Sequence, residues 1–321
     1  MPQHAEDILE HMDKLFYFCL THDVSDLHFE PCPHHYRLRI RLYGKLEHYP
    51  HIPSAMLVRI QQRIKVLAKL DILNTFTPQD GQWVWQDSQH IQAISCRISI
   101  CPMYFGEKLA LRLLYPYRQY RNWQELGMKM KDIATIQAAL NQTQGLILVN
   151  GPTGSGKTTS LYHFLDYLNN GQRNIISIED PIEIPNPHIN QIQANPKRGF
   201  GINDTLRHIL RQDPDIILIG EIRDAETAKL AIEAAHTGHL VLSSLHASSA
   251  IASYERLKQL GIHYVDIIQE IKLVIAQCLI PVFDKEGQFV KRKAIFELLS
   301  PEGTYLSETL DYQIQALRIS S

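Results

Sequence analysis

The chain has 321 residues, of which 45% are hydrophobic and 21% are charged, and its formal net charge is −2 at pH 7. These values are typical of a globular protein, and the length predicts about two domains. The near-neutral balance excludes a global attraction to nucleic acid or to anionic membranes, so any such contact would have to be local.

The first part of the chain predicts a small α+β module. Apolar residues at helical spacing predict a helix over about 6–21. YRLRIRLYGKLEHY alternates apolar residues with Arg37, Arg39 and Arg41, as a half-buried strand does. MLVRIQQRIKVLAKL is an amphipathic helix, and HIQAISCRISICPM and EKLALRLL predict two strands joined at YFGE. The module ends near residue 116.

A change of pattern predicts a second domain. YPYRQYRNWQELG has no clean period and is interpreted as a linker, which gives domains over 1–116 and 131–321 with a linker over 117–130. A helix is expected near 131–141. Beyond it, four wholly apolar runs alternate with helical stretches: LILVN, NIISIED, DIILIGE and HLVLSSLH. Strands without polar alternation are buried on both faces, which predicts a sheet covered by helices.

Cysteine usage and the first residues indicate the compartment. The five cysteines form no CxxC pair, and their odd count and irregular spacing argue against a disulfide framework or a zinc site. Reduced cytosolic thiols are therefore expected. MPQHAEDILEHMDKLF lacks the basic start and apolar core of a signal peptide, and no apolar run reaches the ~18 residues of a membrane span. We expect a cytoplasmic protein, which leaves docking on a membrane protein open.

The stretch LILVNGPTGSGKTTSLY predicts a nucleoside-triphosphate site, because it satisfies G-x-x-x-x-G-K-[ST] between an apolar strand and an amphipathic helix. Glycines allow backbone angles that a side chain would forbid, so consecutive N–H groups can converge on phosphate oxygens. The helix adds its positive N-terminal end. In this pattern the lysine reaches the β- and γ-phosphates and the threonine hydroxyl ligates Mg²⁺. The predicted nucleotide contacts are Gly151, Pro152, Thr153, Gly154, Ser155, Gly156, Lys157, Thr158 and Thr159.

Two acidic strand ends favour hydrolysis of that nucleotide. PDIILIGEIRD places Glu221 after a buried run, and NIISIEDPIE places Glu179 and Asp180 after another. A carboxylate at the carboxyl end of a central strand lies beside the phosphate loop. There it can orient the attacking water or hold Mg²⁺ through water. The alternative is that these are ordinary acids solvated in turns.

Four blocks, in this order and spacing, resemble the secretion ATPases, the superfamily that powers type II secretion, type IV pilus assembly and retraction, and DNA-uptake pseudopili. They are GPTGSGKTTSLY, IISIEDPIE, LRQDPDIILIGEIRDAETA and AAHTGHLVLSSLHA. SDLHFEP, RLRIRLYGKL and PQDG resemble the domain that precedes the ATPase core, so the resemblance covers most of the chain. It implies an α/β, RecA-like P-loop ATPase core preceded by a PAS-like α+β domain. It also implies a homo-hexamer that binds ATP between the two domains.

The resemblance can be narrowed within the superfamily. QIQANPKRGFGINDTLRHILRQDPD is similar to assembly-type ATPases, and the AIRN motif of retraction ATPases is absent. The extra N-terminal domain and four-cysteine zinc insertion of the large assembly ATPases are not found. This short form most resembles the competence-operon ATPases of Gram-positive bacteria (ComGA-like). It implies a motor for a competence pseudopilus that imports DNA, docked through an integral membrane platform protein at the inner face of the cell membrane. A type II secretion or type IV pilus assembly ATPase is the alternative.

The resemblance also assigns roles to individual residues. Glu179 and Glu221 are expected to share the activation of water and the positioning of the metal, and Thr158 is expected to ligate Mg²⁺. We favour Glu179 as the base and Glu221 on the Mg²⁺ side, although the sequence does not decide which of the two is the base. His239 and His246 match the histidine box. A neutral imidazole near the γ-phosphate could sense its loss, and a protonated one would stabilise it. The alternative is two histidines packed beside a buried strand.

Arginines complete the expected site. Arg97 and Arg112 occupy places from which family arginines reach the γ-phosphate, where they neutralise its charge and couple domain closure to nucleotide state. The alternative is a strand arginine in a surface ion pair. The family usually has arginines beside PQDG, but this chain reads NTFTPQDGQW, so any contact from that loop is missing. Arg207, Arg211 and Arg223 are expected to form salt bridges with acids such as Asp213 or Asp224.

Two other classes of function remain as alternatives. A non-motor nucleotide-binding regulator would bind ATP with negligible turnover, whereas a small-molecule kinase would need an acceptor-binding lid that is not evident. A DNA translocase could share the core, but the near-neutral charge and the lack of a basic stripe argue against direct sequence-specific nucleic-acid binding.

Overall fold

The computed structural model describes residues 3–87, 93–115, 122–283 and 289–319. The chain divides into two compact units, Met1–Pro116 and Tyr117–Ser321. The predicted linker begins with residues 117–121, which lie outside the described residues. Trp123, in the second half of that segment, packs against the core of the second unit, with its ring 5.6 Å from the ring of Phe164.

The first unit contains a six-stranded antiparallel sheet in the order β3-β2-β1-β6-β5-β4. Its elements are α1 (Gln3–His22), β1 (Asp26–Pro31), β2 (Tyr36–Leu42), β3 (Lys45–His48), α2 (Ser54–Leu67), β4 (Gln79–Gln86), β5 (Ala93–Met103) and β6 (Gly106–Leu114). The helices and strands predicted for this module are confirmed. Strand β4 was not predicted, because Trp85 alone of its residues is fully buried and the apolar alternation is missing.

One face of this sheet packs against the helices, as the alternation in β2 requires. Leu38 and Ile40 point into the core, where they join Leu15 and Phe16 of α1. Each such apolar side chain stabilises the fold by roughly 2 kcal/mol when it leaves water. The intervening residues of β2 are arginines, so the opposite face of the sheet is cationic.

On that cationic face, Glu30 of β1 forms ion pairs with three basic side chains. Nη2 of Arg39 lies 2.7 Å and Nζ of Lys108 lies 3.1 Å from Oε1 of Glu30, and Nε of Arg37 lies 3.0 Å from Oε2. Burial alone would raise the pKa of Glu30, but the hydrogen bonds from Arg39, Lys108 and Arg37 outweigh it and lower the pKa to about 2.

Acid should therefore destabilise the first unit through Glu30. Because the pKa is lower in the folded state than the ordinary 4.5, this stabilisation is complete above about pH 4.5 and is lost as the pH falls toward 2. We expect Glu30→Gln to lose about 1–2 kcal/mol of unfolding free energy at pH 7, since solvent screens part of the interaction, and much less at pH 3. Urea unfolding at both pH values measures this, with the exposed Glu47→Gln as control. An equal loss at both pH values would contradict it.

The second unit contains a seven-stranded sheet in the order β13-β12-β7-β11-β10-β8-β9. Its pairings are parallel except for β12 with β13. The elements are α3 (Met130–Leu140), β7 (Gly145–Asn150), α4 (Lys157–Leu168), β8 (Ile175–Glu179), β9 (Asn190–Gln193), a 3₁₀ turn (Pro196–Arg198), α5 (Ile202–Ile209), β10 (Ile216–Ile219), α6 (Ala225–His236), β11 (Leu240–Leu245), α7 (Ala250–Gln259), α8 (Tyr264–Glu270), β12 (Ile271–Phe283), β13 (Phe289–Leu299) and α9 (Leu310–Ile319).

The four predicted apolar runs form the middle of this sheet as β7, β8, β10 and β11, which confirms the covered parallel sheet. Successive residues of β7 enter opposite cores: Leu146 and Leu148 pack with α6, while Ile147 and Val149 pack with α3 and α4. Both faces are therefore covered, and all residues of β7 are buried. Because these strands are parallel, the loops that follow them meet at one edge of the sheet.

The five cysteines are free thiols. Cys96 lies in the core of the first unit, where burial raises the pKa of its thiol to about 12, so the thiol stays protonated at neutral pH. Across the part of the chain that the structure describes, no helix combines the length and the apolar character needed to cross a membrane.

Candidate active site

The loop between β7 and α4 has the backbone that phosphate binding requires. Gly151, Gly154 and Gly156 have φ angles of 144°, 78° and 88°, which residues with a side chain rarely adopt. The middle of the loop, from Pro152 to Gly154, is exposed. Helix α4 begins directly after the loop, so the partial positive charge of its N-terminus lies there.

Lys157, the first residue of α4, folds back over this loop. Its Nζ donates hydrogen bonds to the carbonyl oxygens of Gly151, at 2.8 Å, and Pro152, at 3.1 Å. Burial lowers the pKa of Lys157, and the nearby carboxylates of Glu221 and Glu183 oppose that shift. The ammonium therefore lies on the phosphate loop with two carboxylates close enough to act on its charge.

Gln277 of β12 forms hydrogen bonds to the phosphate loop and to the start of α4, contacts that the sequence did not predict. Its Nε2 donates to the carbonyl oxygen of Ser155 at 2.7 Å, and its Oε1 accepts from Oγ of Ser160 at 2.8 Å. Its own carbonyl oxygen lies only 2.2 Å from the place where a Cβ on Gly151 would stand. The loop is thus fixed against β12 at both of its ends.

Gly151→Ala should therefore destabilise the second unit. The new Cβ would meet the backbone of Gln277, which cannot swing away, and the φ of 144° would be strained. We expect a loss of about 2–3 kcal/mol of unfolding free energy. Gly154→Ala is the matched control: its φ of 78° is also strained, but nothing lies within 4 Å, so about 1 kcal/mol is expected. Urea unfolding compares them, and equal losses would contradict the role of the Gln277 contact.

Glu179 is the last residue of β8 and is 4% exposed. Its Oε1 accepts hydrogen bonds from the hydroxyls of Tyr162, at 2.7 Å, and Ser177, at 2.9 Å, and from Nε2 of Gln191 at 3.4 Å. Burial raises the pKa of Glu179, and the three donors offset part of that increase. A carboxyl with a raised pKa at the end of a central strand is suited to accept a proton.

Glu221 lies two residues after β10 and contacts an arginine and a histidine. Its Oε1 pairs with Nη2 of Arg223, and its Oε2 lies 3.1 Å from Nε2 of His246. Nη1 of Arg223 also reaches Oδ2 of Asp180 at 4.0 Å. The ends of β8, β10 and β11 are thereby connected at the edge that carries the phosphate loop.

The salt bridges expected for Arg207 and Arg223 form, but their partners are not the acids named as examples. Arg223 pairs with Glu221 and Asp180, not with Asp213 or Asp224. Asp224 instead caps α6 by accepting from the N–H of Thr227. Arg207 pairs with Glu226 at 2.6 Å, because both side chains are exposed on the packed helices α5 and α6.

The structure separates the two histidines of the histidine box. His246 follows β11 and contacts Glu221. His239 precedes β11, about 20 Å away along the strand, and its Nδ1 lies 2.9 Å from the carbonyl oxygen of Ala234. Within this chain His239 therefore stands at the opposite edge of the sheet from the phosphate loop, and its place near a nucleotide stays a prediction. His236 pairs with Glu270 at 2.8 Å, consistent with the structural role expected for it.

Arg97 and Arg112 belong to the first unit, where they are direct partners in the register of β5 and β6. Nε of Arg112 lies 3.2 Å from Oδ1 of Asp26. This is the surface ion pair that the sequence left as the alternative for such an arginine. Asp26 of β1 therefore supplies a negative charge beside this pair of cations.

Glu183 lies close to this group of residues, and no role was predicted for it. Its carboxylate is close enough to influence the charges of Lys157, Tyr162 and Glu179, and it raises the pKa of all three. It lies four residues beyond β8, in a loop whose path no local pattern predicts. The signal available in the sequence was its place in IEDPIE.

Magnesium fits the donors at this edge. Thr158 in the first turn of α4 and Glu221 beside Lys157 offer hard oxygen ligands, which Mg²⁺ prefers. Mg²⁺ usually takes only one or two protein ligands and completes its shell with phosphate oxygens and water. Among the described residues no three His, Cys, Asp or Glu side chains form a metal cage, and a site of this kind requires none.

A glycine-rich phosphate loop, acidic ends on neighbouring parallel strands and helices on both faces define a P-loop protein with a RecA-like core. Residues 3–315 match the family model described as "Type II/IV secretion system protein". The chain belongs to that family.

Individual relatives agree with this assignment. The chain is 46% identical over 261 residues to "Protein transport protein HofB homolog" of Escherichia coli (strain K12), which covers 81% of this chain and 56% of that protein. It is 43% identical over 272 residues to "Type IV pilus assembly ATPase PilB" of Acinetobacter baylyi, covering 85% of this chain and 47% of that protein. It therefore spans about half the length of these curated relatives.

A solved structure has the same fold. The crystal structure of "the Pilus Retraction Motor PilT and Bound ADP" aligns with a TM-score of 0.66 and 25% sequence identity. The alignment covers 96% of this chain and 87% of that one. The RecA-like core preceded by a small α+β unit, predicted from the sequence, is confirmed.

Proposed function

We propose that this chain hydrolyses ATP to ADP and phosphate and that it is the motor ATPase of a pilus- or secretion-type machine. The observation that carries the proposal is the meeting of the phosphate loop, Glu179 and Glu221 at one edge of a single RecA-like core. A relative named as a pilus assembly ATPase and a structural neighbour with bound ADP support it.

The loop from Gly151 to Thr159 would bind the triphosphate. Its N–H groups and the N-terminus of α4 supply hydrogen bonds and positive potential to phosphate oxygens. Lys157 would exchange its bonds to the loop carbonyls for bonds to the β- and γ-phosphates. Thr158 and Glu221 would hold Mg²⁺, which neutralises part of the phosphate charge when it is bound.

Glu179 is the proposed base. A water beside it attacks the γ-phosphorus, the bond from that phosphorus to the bridging oxygen of the β-phosphate breaks, and ADP leaves. The proton of the water passes to Glu179, whose raised pKa favours accepting it. Glu221 is assigned to the Mg²⁺ side, where it would act through a bound water, since its two oxygens already contact Arg223 and His246.

Three further residues have proposed roles near the γ-phosphate. His246, beside Glu221, would sense the loss of that phosphate. For Arg97 and Arg112 the proposed role is to neutralise phosphate charge, and its support is the family resemblance together with the juxtaposition of the two cations on β5 and β6.

The finer biological proposal is a homo-hexamer that drives a competence pseudopilus for DNA uptake. It would work in the cytoplasm, docked through an integral membrane platform protein. The support is the sequence resemblance to the competence-operon ATPases, within a family whose members here carry names from protein transport and pilus assembly. A type II secretion or pilus assembly ATPase is the alternative at this level.

One inactive allele can show which of these systems the motor drives. Lys157→Ala would be placed in the native host, and DNA uptake, protein secretion and surface pili would be scored beside an allele with Lys229→Ala, an exposed lysine on α6. Loss of DNA uptake alone is the expected result. Normal uptake with lost secretion or lost pili would assign the motor to a sister system and leave the enzymatic proposal standing.

A further inference from the structure

The carboxylate of Glu179 is held asymmetrically. Oε1 accepts from the hydroxyl of Tyr162 at 2.7 Å, from the hydroxyl of Ser177 at 2.9 Å and from Nε2 of Gln191 at 3.4 Å. Oε2 accepts no hydrogen bond from any side chain in the described residues. The two protons of the Gln191 amide have nearer acceptors in the hydroxyl of Tyr162 and the carbonyl oxygen of Ile184, at 2.6 and 3.1 Å. The two hydroxyl donors on Oε1 therefore fix the plane of the carboxylate, and Oε2 is left to accept from a bound molecule.

The direction of the hydrogen bond between Tyr162 and Glu179 is determined by its neighbours. Oε1 of Gln191 accepts from the backbone N–H of Asn186 at 2.6 Å, so the other end of that amide must be its NH₂ group. That NH₂ group donates to the hydroxyl oxygen of Tyr162 at 2.6 Å. The hydroxyl oxygen therefore acts as an acceptor toward Gln191, and its single proton points to Glu179.

The same helix carries Tyr162 and the phosphate-binding lysine. Lys157 is the first residue of α4, and Tyr162 lies in its second turn and is fully buried. A rigid helix thus connects the phosphate loop to the carboxylate at the end of β8. Burial and the neighbouring carboxylate raise the pKa of Tyr162, so the hydroxyl remains protonated and stays a donor.

We propose that Tyr162 is a positioning residue that keeps Glu179 ionised and turned so that Oε2 faces the attacking water. This inference rests on the proposed function, in which Glu179 is the base. Ser177 assists by donating to the same oxygen, and Gln191 assists by donating to the hydroxyl oxygen of Tyr162, which turns the tyrosine proton toward Glu179. The sequence gives no sign of this, because a tyrosine in an amphipathic helix is usually a core residue.

The groups around Glu179 determine how the loss of the Tyr162 hydroxyl changes the pH dependence of hydrolysis. Tyr162 faces it from α4 and Glu183 from the loop after β8, and both are titratable. Strand β9 contributes the neutral Gln191, and Gly220, just beyond β10, packs against Glu179 with no side chain. Removing the Tyr162 hydroxyl takes away a donor that favours the ionised carboxylate, while Glu183 continues to oppose ionisation.

Tyr162→Phe is the test, with ATP hydrolysis by the full chain measured across pH. We expect the acid limb of kcat to move to higher pH by about one unit, the effect of losing one hydrogen bond to a carboxylate. We expect kcat on the plateau to fall by about 10-fold, with KM for ATP within about two-fold of wild type, because the carboxylate and not the phosphate loop is disturbed. Tyr167→Phe is the matched control, since it makes the same change on the same helix, where the hydroxyl accepts from the exposed Asn141.

An unchanged acid limb and an unchanged kcat in Tyr162→Phe would overturn the proposal. Should that variant fail to fold in thermal unfolding, Ser177→Ala removes another donor from the same oxygen, and an unshifted acid limb there would overturn it equally. Lys157→Ala distinguishes a failure of the positioning role from a failure of the proposed function. If Lys157→Ala is inactive and Tyr162→Phe behaves as wild type, the positioning role fails alone. If the wild-type chain does not turn over ATP, the proposed function itself fails.

Discussion

Replacing Lys157 with alanine should reduce ATP hydrolysis by about 10³-fold or more and leave the fold intact. The ammonium is the cation that contacts the phosphate loop itself, through the carbonyl oxygens of Gly151 and Pro152. Charge on a transferring phosphoryl group is stabilised by such fixed cations, and removing one costs several kcal/mol of the barrier. Because the side chain packs against the loop and not into an apolar core, unfolding should change little.

Steady-state phosphate release and thermal unfolding of the purified chain measure both parts of this prediction. Lys229→Ala is the matched control, since it removes an exposed lysine from α6 in the same unit. Wild-type turnover by Lys157→Ala would show that the site has been assigned to the wrong residues. Lost turnover together with a collapsed melting transition would show that Lys157 has a structural role that its contacts do not indicate.

Replacing Glu179 with glutamine should lower kcat by about 10²–10⁴-fold while ATP still binds. Glutamine has the same shape, and its carbonyl oxygen can accept from Tyr162, Ser177 and Gln191, so the local packing is retained. The amide cannot accept the proton of the attacking water, which removes general-base catalysis. The phosphate loop is untouched, so the affinity for ATP should stay within a few-fold of wild type.

A comparison with Glu221→Gln distinguishes the two carboxylates. Glu221→Gln should raise the Mg²⁺ concentration needed for half-maximal rate, whereas Glu179→Gln should lower the rate at every Mg²⁺ concentration. Glu255→Gln on α7 is the control for a lost surface carboxylate, since Glu255 is exposed and forms an i,i+3 pair with Lys258. If the two effects are exchanged between the variants, Glu221 is the base and Glu179 belongs to the metal side.

Much of the fold could be predicted because its strands carry unusual local patterns. The runs at β7, β8, β10 and β11 are apolar throughout, as strands buried on both faces must be. Strand β9 has the sequence NQIQ and lies at the edge, so it shows no apolar run. The long antiparallel pair of β12 and β13 was also not predicted, because its register depends on contacts between residues far apart in the chain.

The candidate site was predicted where chemistry is tied to a short motif. Gly151, Lys157 and Glu221 stand in such motifs, and the structure brings them to one edge. His239 stands in a motif too, but the strand between it and His246 carries it to the other edge. Gln277 and Tyr162 contact the site only because β12 and α4 pack beside it, and no spacing in the sequence reports that packing.

The central claim is that this chain turns over ATP at the edge formed by the phosphate loop, Glu179 and Glu221. The most direct test is phosphate release from purified chain with Mg²⁺ and a large excess of ATP, followed beside Lys157→Ala. Release that continues well beyond one phosphate per chain in the wild type, and stops in the variant, is the predicted result. Binding of ATP without continued release in the wild type would contradict the claim and would identify a nucleotide-binding regulator instead of a motor.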